Sequence, residues 1–140
     1  MDALFRGMRI SSTGLSAERT RIDTIADNLA NAQTTRTPDG GPYRRPVVAF
    51  EPILQQTADG SVVGRGVRVS GVVPDTETPF ERIPDPGHPD ADADGFVSYP
   101  NVNATREMAD LITAVRAYEA NLAVKEVFER MATRALELAR

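Results

Sequence analysis

Apolar side chains recur every seven residues over the first part of the chain, at Met1, Met8, Leu15, Ile22 and Leu29. Leu4, Ile25 and Ala32 fill most of a companion column that Ser11 and Glu18 interrupt. The pattern predicts one long amphipathic helix over residues 1–34. Gly7 and Gly14 each weaken such a helix by about 1 kcal/mol relative to Ala, so its first two turns are expected to fray or kink where nothing packs on them. In the last part, Met108, Leu111, Val115, Tyr118 and Leu122 follow three-and-four spacing. Val124, Phe128, Met131, Ala135 and Leu138 continue on a displaced stripe. A second helix over 104–140, with two contact faces, is expected. Asn103 is suited to cap it, and Glu107 sets a carboxylate near its positive end. From Ala104 to Leu138 it would be roughly 50 Å long at about 1.5 Å per residue.

All ten prolines and eight of the ten glycines lie between Pro38 and Pro100. Residues 35–103 are therefore expected to form an extended arm. "TPDGGPYRRP" opens it with a turn, since Pro38 fixes φ, Asp39 can bond its own backbone and the two glycines tolerate positive φ. "VVAF" (47–50) and "VVGRGVRVSGVV" (62–73) are β-branched and separated by "ADG" (58–60), which predicts a short β-hairpin. From Pro74 to Pro100 nothing regular is expected, and no internal core. The fold class is mainly α: long N- and C-terminal helices packed as an antiparallel, coiled-coil-like pair, with the arm between them. Helices of this length cannot bury both stripes in a small globule, so they need each other and other subunits. An ordinary helical hairpin within one chain is the plainer reading of the same pattern.

Composition narrows the function. The chain has 140 residues, 6% aromatics and no Trp, enough for one modest domain without an assured large core. Its net charge of −4 comes from the middle, where residues 38–103 carry ten acidic and five basic side chains. No basic run exceeds Arg44-Arg45, so nucleic acid is not an expected partner. Cysteine is absent, which excludes disulfides, thiolate zinc sites and Cys nucleophiles. Arg6 and Arg9 interrupt the N-terminal apolar residues, and no window approaches the ~20 apolar residues of a membrane span. Neither a cleavable signal nor membrane insertion is expected.

"DADADG" (90–95) raises a calcium question. Asp90, Asp92, Asp94, Gly95 and Val97 occupy positions one, three, five, six and eight of a calcium loop. The twelfth position, which needs a bidentate Glu, is Asn101; Pro100 stands beside it, and "IPDPGHP" upstream forbids an entering helix. A solvated acidic loop is the preferred reading, and a calcium-binding adaptor built on Asp90–Asn101 is the alternative function. His88 has no second His or Cys to complete a transition-metal set, and no serine sits in a nucleophile elbow, so a hydrolase using His88 ranks below both. "GRGVRV" (64–69) lacks the third glycine and following helix of a phosphate loop. No enzyme signature and no cofactor or metal site remains.

"ISSTGLSAERTRIDTIADNLANAQTTRT" (10–37) resembles the N-terminal signature of bacterial flagellar axial proteins, whose core is the run Ala30-Asn31-Ala32-Gln33-Thr34. "RAYEAN" (116–121) resembles the matching C-terminal signature. "PYRR" (42–45) and "DPGHPDADADGFVSYPNVN" (85–103) resemble the proximal-rod members of that family. Pro46, where a Lys often follows the two arginines, and Phe96, where Tyr is commoner, are small departures. The resemblance implies a structural protein, exported unfolded by the flagellar type III apparatus and polymerised in the periplasm with sister rod proteins and copies of itself. A chain without cysteine suits that route, because no disulfide can trap it in an oxidising compartment.

The resemblance also points to Asn28, Asn31 and Thr34 as residues that end the first helix, and to Tyr118, Glu119 and Asn121 in the last. Subunit packing is expected from Leu15, Ile22, Ile25, Leu29 and Asn31 of the first helix. In the last helix it is expected from Met108, Leu111, Val115, Tyr118 and Leu122, then Phe128 and Met131.

Overall fold

The structure, a computed structural model, describes residues 2–138, with side chains from Phe5 onward. Met1, the side chain of Leu4 and residues 139–140 therefore lie outside the described residues. Six elements follow in order: α1 (Asp2–Ala30), β1 (Pro46–Gln56), β2 (Val62–Pro74), β3 (Glu81–Pro84), β4 (Phe96–Tyr99) and α2 (Ala104–Leu138). Two long helices thus frame a β region, as the hydrophobic pattern predicts.

Helix α1 stops at Ala30 because side chains take over its last carbonyls. The Asn31 backbone N–H donates to Asp27 O (3.0 Å) and its Nδ2 donates to the same oxygen (2.9 Å), while Thr34 Oγ1 donates to Asn31 Oδ1 (3.2 Å). Helix α2 begins where Asn103 Oδ1 accepts the Arg106 N–H (3.0 Å), the bond expected of an N-cap.

The two helices touch at points whose sequence order is opposite. Asn28 meets Glu107, Arg21 approaches Asp110, Gly14 lies against Asn121 and Gly7 lies against the Phe128 ring. Gly7 and Gly14 do not interrupt α1, which is continuous through both. A Cβ at Gly7 would stand 2.5 Å from Phe128 Cζ, and one at Gly14 would stand 3.1 Å from the Asn121 amide. Fraying is expected only where nothing packs on these turns, and here α2 packs on both glycines. These glycines are where α2 side chains approach the α1 backbone, and that packing offsets their poor helix propensity.

Strands β1 and β2 pair antiparallel from Pro46↔Pro74 to Gln56↔Val62, a longer ribbon than the sequence predicts. Thr57 and Ser61 close its turn, and the Asp59 carboxylate accepts hydrogen bonds from both. Two bulges, after Ala49 and after Ile53, bend the ribbon. It lies back along α1: Thr13 Oγ1 accepts the Val67 N–H (3.2 Å), and Gly66 at that contact has φ 138°, where no Cβ is tolerated.

The expectation of no regular structure from Pro74 to Pro100 is corrected. β3 and β4 pair antiparallel from Glu81↔Tyr99 to Pro84↔Phe96, and the acidic segment is the loop of this second hairpin. Its prolines are compatible with pairing, since Pro84 ends a strand while Pro86 and Pro89 lie in the loop. Nor is this region without a core, since Val97 is fully buried. Among the described residues the other buried apolar side chains are Ala17, Ile25 and Ala114, joined by buried Ser11, Thr24, Asn28, Asn101 and Glu107.

Candidate functional site

The densest set of interactions is polar, at the junction of the end of α1, the start of α2 and the root of the arm. Glu107 and Asn28 are each only 1% exposed. Arg45 Nε donates to Glu107 Oε1 (2.6 Å) and Asn28 Nδ2 donates to Oε2 (3.0 Å), so both carboxylate oxygens are satisfied. The same Asn28 Nδ2 reaches Pro46 O (3.2 Å), and its Oδ1 accepts from the Tyr43 hydroxyl (3.0 Å). Burial, followed by the charges of Asp27 and Glu107, raises the Tyr43 pKa, which keeps the hydroxyl a donor. Glu107 stands in the first turn of α2, near the positive helix end as expected, and is there also the buried partner of Arg45.

Asn101, the twelfth position of the supposed calcium loop, ties the arm together instead. Its Oδ1 accepts the Arg45 N–H (2.8 Å), and its Nδ2 donates to Asp75 O and Thr78 O (both 3.1 Å). Asp75 in turn accepts from the Thr78 N–H and hydroxyl and the Glu77 N–H, and lies 3.8 Å from Arg45. Those hydrogen bonds, Thr78's first, lower its pKa. Arg44 donates to Asp75 O (2.8 Å) and stacks over Phe80 at 4.1 Å.

The acidic loop is held by internal partners. Asp90 accepts from Thr35 Oγ1 (2.8 Å) and pairs with Arg36, and its N–H is bonded by His88 Nδ1 (3.1 Å). Asp92 caps the N–H groups of Asp94 and Phe96 and pairs with Arg82; the Phe96 bond is the largest cause of its lowered pKa. Among the described residues no three His, Asp or Glu side chains are grouped to hold a metal ion. Nothing in the arrangement favours the calcium alternative.

The expected packing residues take two different positions. In α2 the residues against α1 are Glu107, Asn121 and Phe128, in a seven-residue series that also includes fully buried Ala114. Met108, Val115 and Leu122 form the adjacent series, one residue on, and are 54%, 37% and 38% exposed. In α1 the contact series Gly7, Gly14 and Asn28 likewise precedes Met8, Leu15, Ile22 and Leu29 by one residue, and those four are half-buried. Ile25 is buried, Leu111 and Tyr118 are half-buried, and Met131 is exposed. Phe128 is taken up within the chain by Gly7.

Sequence reasoning missed Tyr43, Arg45, Asn101 and Glu107 as one cluster, since they are remote in sequence and none carries a periodic signal. The seven-residue spacing of Gly7 and Gly14, continued two repeats on at Asn28, was the available clue to the seam.

Comparisons with known proteins place the chain. Residues 8–36 match the family model described as "Flagella basal body rod protein", and residues 93–138 match "Flagellar basal body rod FlgEFG protein C-terminal". The class is therefore that of flagellar basal-body rod proteins. The chain is similar to the flagellar basal-body rod protein FlgC of Borreliella burgdorferi, at 44% identity over 86% of this chain and 88% of that one. FlgC of Bacillus subtilis is 38% identical over 96% and 97%, and FlgC of Aquifex aeolicus 43% over 91% and 93%. The chain belongs to the FlgC family of flagellar basal-body rod proteins. It is a structural subunit of the flagellar basal body, not an enzyme.

Proposed function

We propose that the chain polymerises with copies of itself and with sister rod proteins into the proximal rod, the inner end of the drive shaft that transmits motor torque. In this reading it is exported by the flagellar type III apparatus and assembles in the periplasm. Residues 1–34 and 104–140 pair antiparallel in the manner of a two-stranded coiled coil and form the inner helical layer, and residues 35–103 form the outer arm.

One observation carries the reading. The seam between α1 and α2 is built mostly from small and polar residues, with Phe128 against Gly7, while large apolar side chains on the neighbouring stripes of α2 stay exposed in the single chain. Met108, Val115 and Leu122 lie on one stripe of α2; Val124 (44% exposed) and Met131 (52%) lie on another. Two apolar stripes left open on one helix are what a subunit with neighbours on both sides needs.

Leu122→Asp and Met131→Asp test it. Each is expected to leave the folded single chain within about 0.5 kcal/mol of its original stability, because both positions are exposed in it. Each is also expected to be exported and to leave basal bodies without a completed rod. Normal swimming of the double variant would refute the proposal.

A further inference from the structure

Arg65 is the extra residue of the second bulge in the β1–β2 ribbon, between the pairs Ile53↔Gly66 and Leu54↔Gly64. Its Nε is buried and has no hydrogen-bond partner among the described residues. Together with Phe5, Arg6, Met8 and Arg9 it lines a groove at the start of α1. None of these three arginines forms an ion pair among the described residues. A buried guanidinium nitrogen without an acceptor, in a groove with two further cations and two apolar side chains, calls for a carboxylate ligand.

The chain carries such a ligand at its other end. The β3–β4 loop holds Asp85, Asp90, Asp92 and Asp94; Arg36 and Arg82 pair with Asp90 and Asp92, and Asp85 and Asp94 stay exposed without an ion pair among the described residues. Thr35 anchors this loop just beyond the end of α1 through Asp90. From Arg9 to Ala30 the helix rises about 30 Å, so the loop cannot reach the groove of its own chain. Complementary patches at opposite ends of one molecule suit a heterologous, head-to-tail contact between copies.

We propose that the acidic β3–β4 loop of one copy docks in the arginine-lined groove of the next, with Asp85 and Asp94 supplying the acceptors that Arg6, Arg9 and Arg65 lack. This rests on the reading of the chain as a polymerising subunit, and it assigns one of the contacts.

Self-association of the full chain, followed by sedimentation velocity at low salt, tests it. Arg9→Glu and Asp94→Arg are each expected to weaken association about tenfold, and the two reversals combined to restore it to within about threefold. Neutral Arg9→Gln and Asp94→Asn are expected to lose about threefold with unchanged circular dichroism, which separates lost contact from lost fold. Association unchanged by either reversal, or no recovery in the combination, overturns the proposal. Arg9→Glu acting alone overturns it too, and directs the groove to another acidic segment of this chain. The rod reading is scored separately by whether the unsubstituted chain restores swimming to cells lacking their own copy. Swimming restored while both reversals leave association intact removes the docking contact and leaves the rod assignment standing.

Discussion

Asn28 Nδ2 and Glu107 Oε2 lie 3.0 Å apart in the interior, joining the last turn of α1 to the first turn of α2 across 79 residues of chain. Because Arg45 takes the other carboxylate oxygen, that single bond also fixes where the arm departs. Glu107→Ala would take the shared acceptor from the Arg45 guanidinium and the Asn28 amide; losing one partner of a fully buried pair costs about 3–5 kcal/mol, and the loss here should be smaller because Arg45 is partly exposed and keeps Asp75 nearby. Urea unfolding should show a much smaller loss when Arg45→Met is already present. Additive losses in that double-mutant cycle would mean the pair is not coupled.

Gly7 gives a case in which local propensity and packing point in opposite directions. Ala is about 1 kcal/mol better than Gly within a helix, so Gly7→Ala should raise the helicity of a peptide spanning residues 1–30. In the full chain the added methyl meets the Phe128 ring, and the same change should lower stability. Pairing it with Phe128→Ala should recover part of the loss. Stabilisation of the full chain by Gly7→Ala would show that α1 and α2 do not approach closely there.

Asp75 links the arm root to acid sensitivity. Its folded pKa is depressed, chiefly by Thr78, so the stability it contributes is complete above the unfolded carboxylate value near 3.9 and is lost as pH falls through the lower folded value. Thermal melts below about pH 4 should therefore decline more steeply for the natural chain than for Asp75→Asn. Parallel declines would show that the Thr78 bonds are not made in solution.

Protection against hydrogen exchange should be graded along α1 in the dilute chain. Thr24, Ile25 and Asn28 are buried beside the polar junction, whereas Phe5 and Ile10 are exposed. Amides near residues 24–28 should exchange more slowly than those of residues 5–10, where fewer side chains are buried. Uniform strong protection from residue 5 to residue 30 would show that the start of α1 is held as firmly in the single chain as its end.

Both helices were legible from periodicity, and so was the first hairpin, because seven-residue apolar repeats and β-branched runs flanking "ADG" are local signals. The seam was not. The periodic large residues, Met8 to Leu29 and Met108 to Leu122, attract attention, yet helices that approach closely need small side chains between them, and Gly7, Gly14 and Ala114 look like interruptions in a hydrophobic scan. The β3–β4 pairing was hidden for a related reason. Three prolines in "IPDPGHP" argue against a strand wherever they sit, and only the pairing partner shows that they lie at its end and in its loop. Asp59, the middle residue of "ADG", organises the first turn; its hydrogen bonds from Thr57 and then Ser61 hold its pKa at about 2.

The sparse apolar interior has a calorimetric consequence. Heat-capacity change tracks apolar surface transferred from water, and among the described residues only Ala17, Ile25, Val97 and Ala114 are buried apolar side chains. Unfolding of the single chain should therefore show less than the usual ~12–15 cal/mol/K per residue, a shallow stability curve and a weak response to urea. If polymerisation covers the open stripes of α2 as proposed, the missing heat-capacity term should appear in that step. Rod growth should accordingly become more exothermic as temperature rises, while folding of the free subunit changes its enthalpy comparatively little.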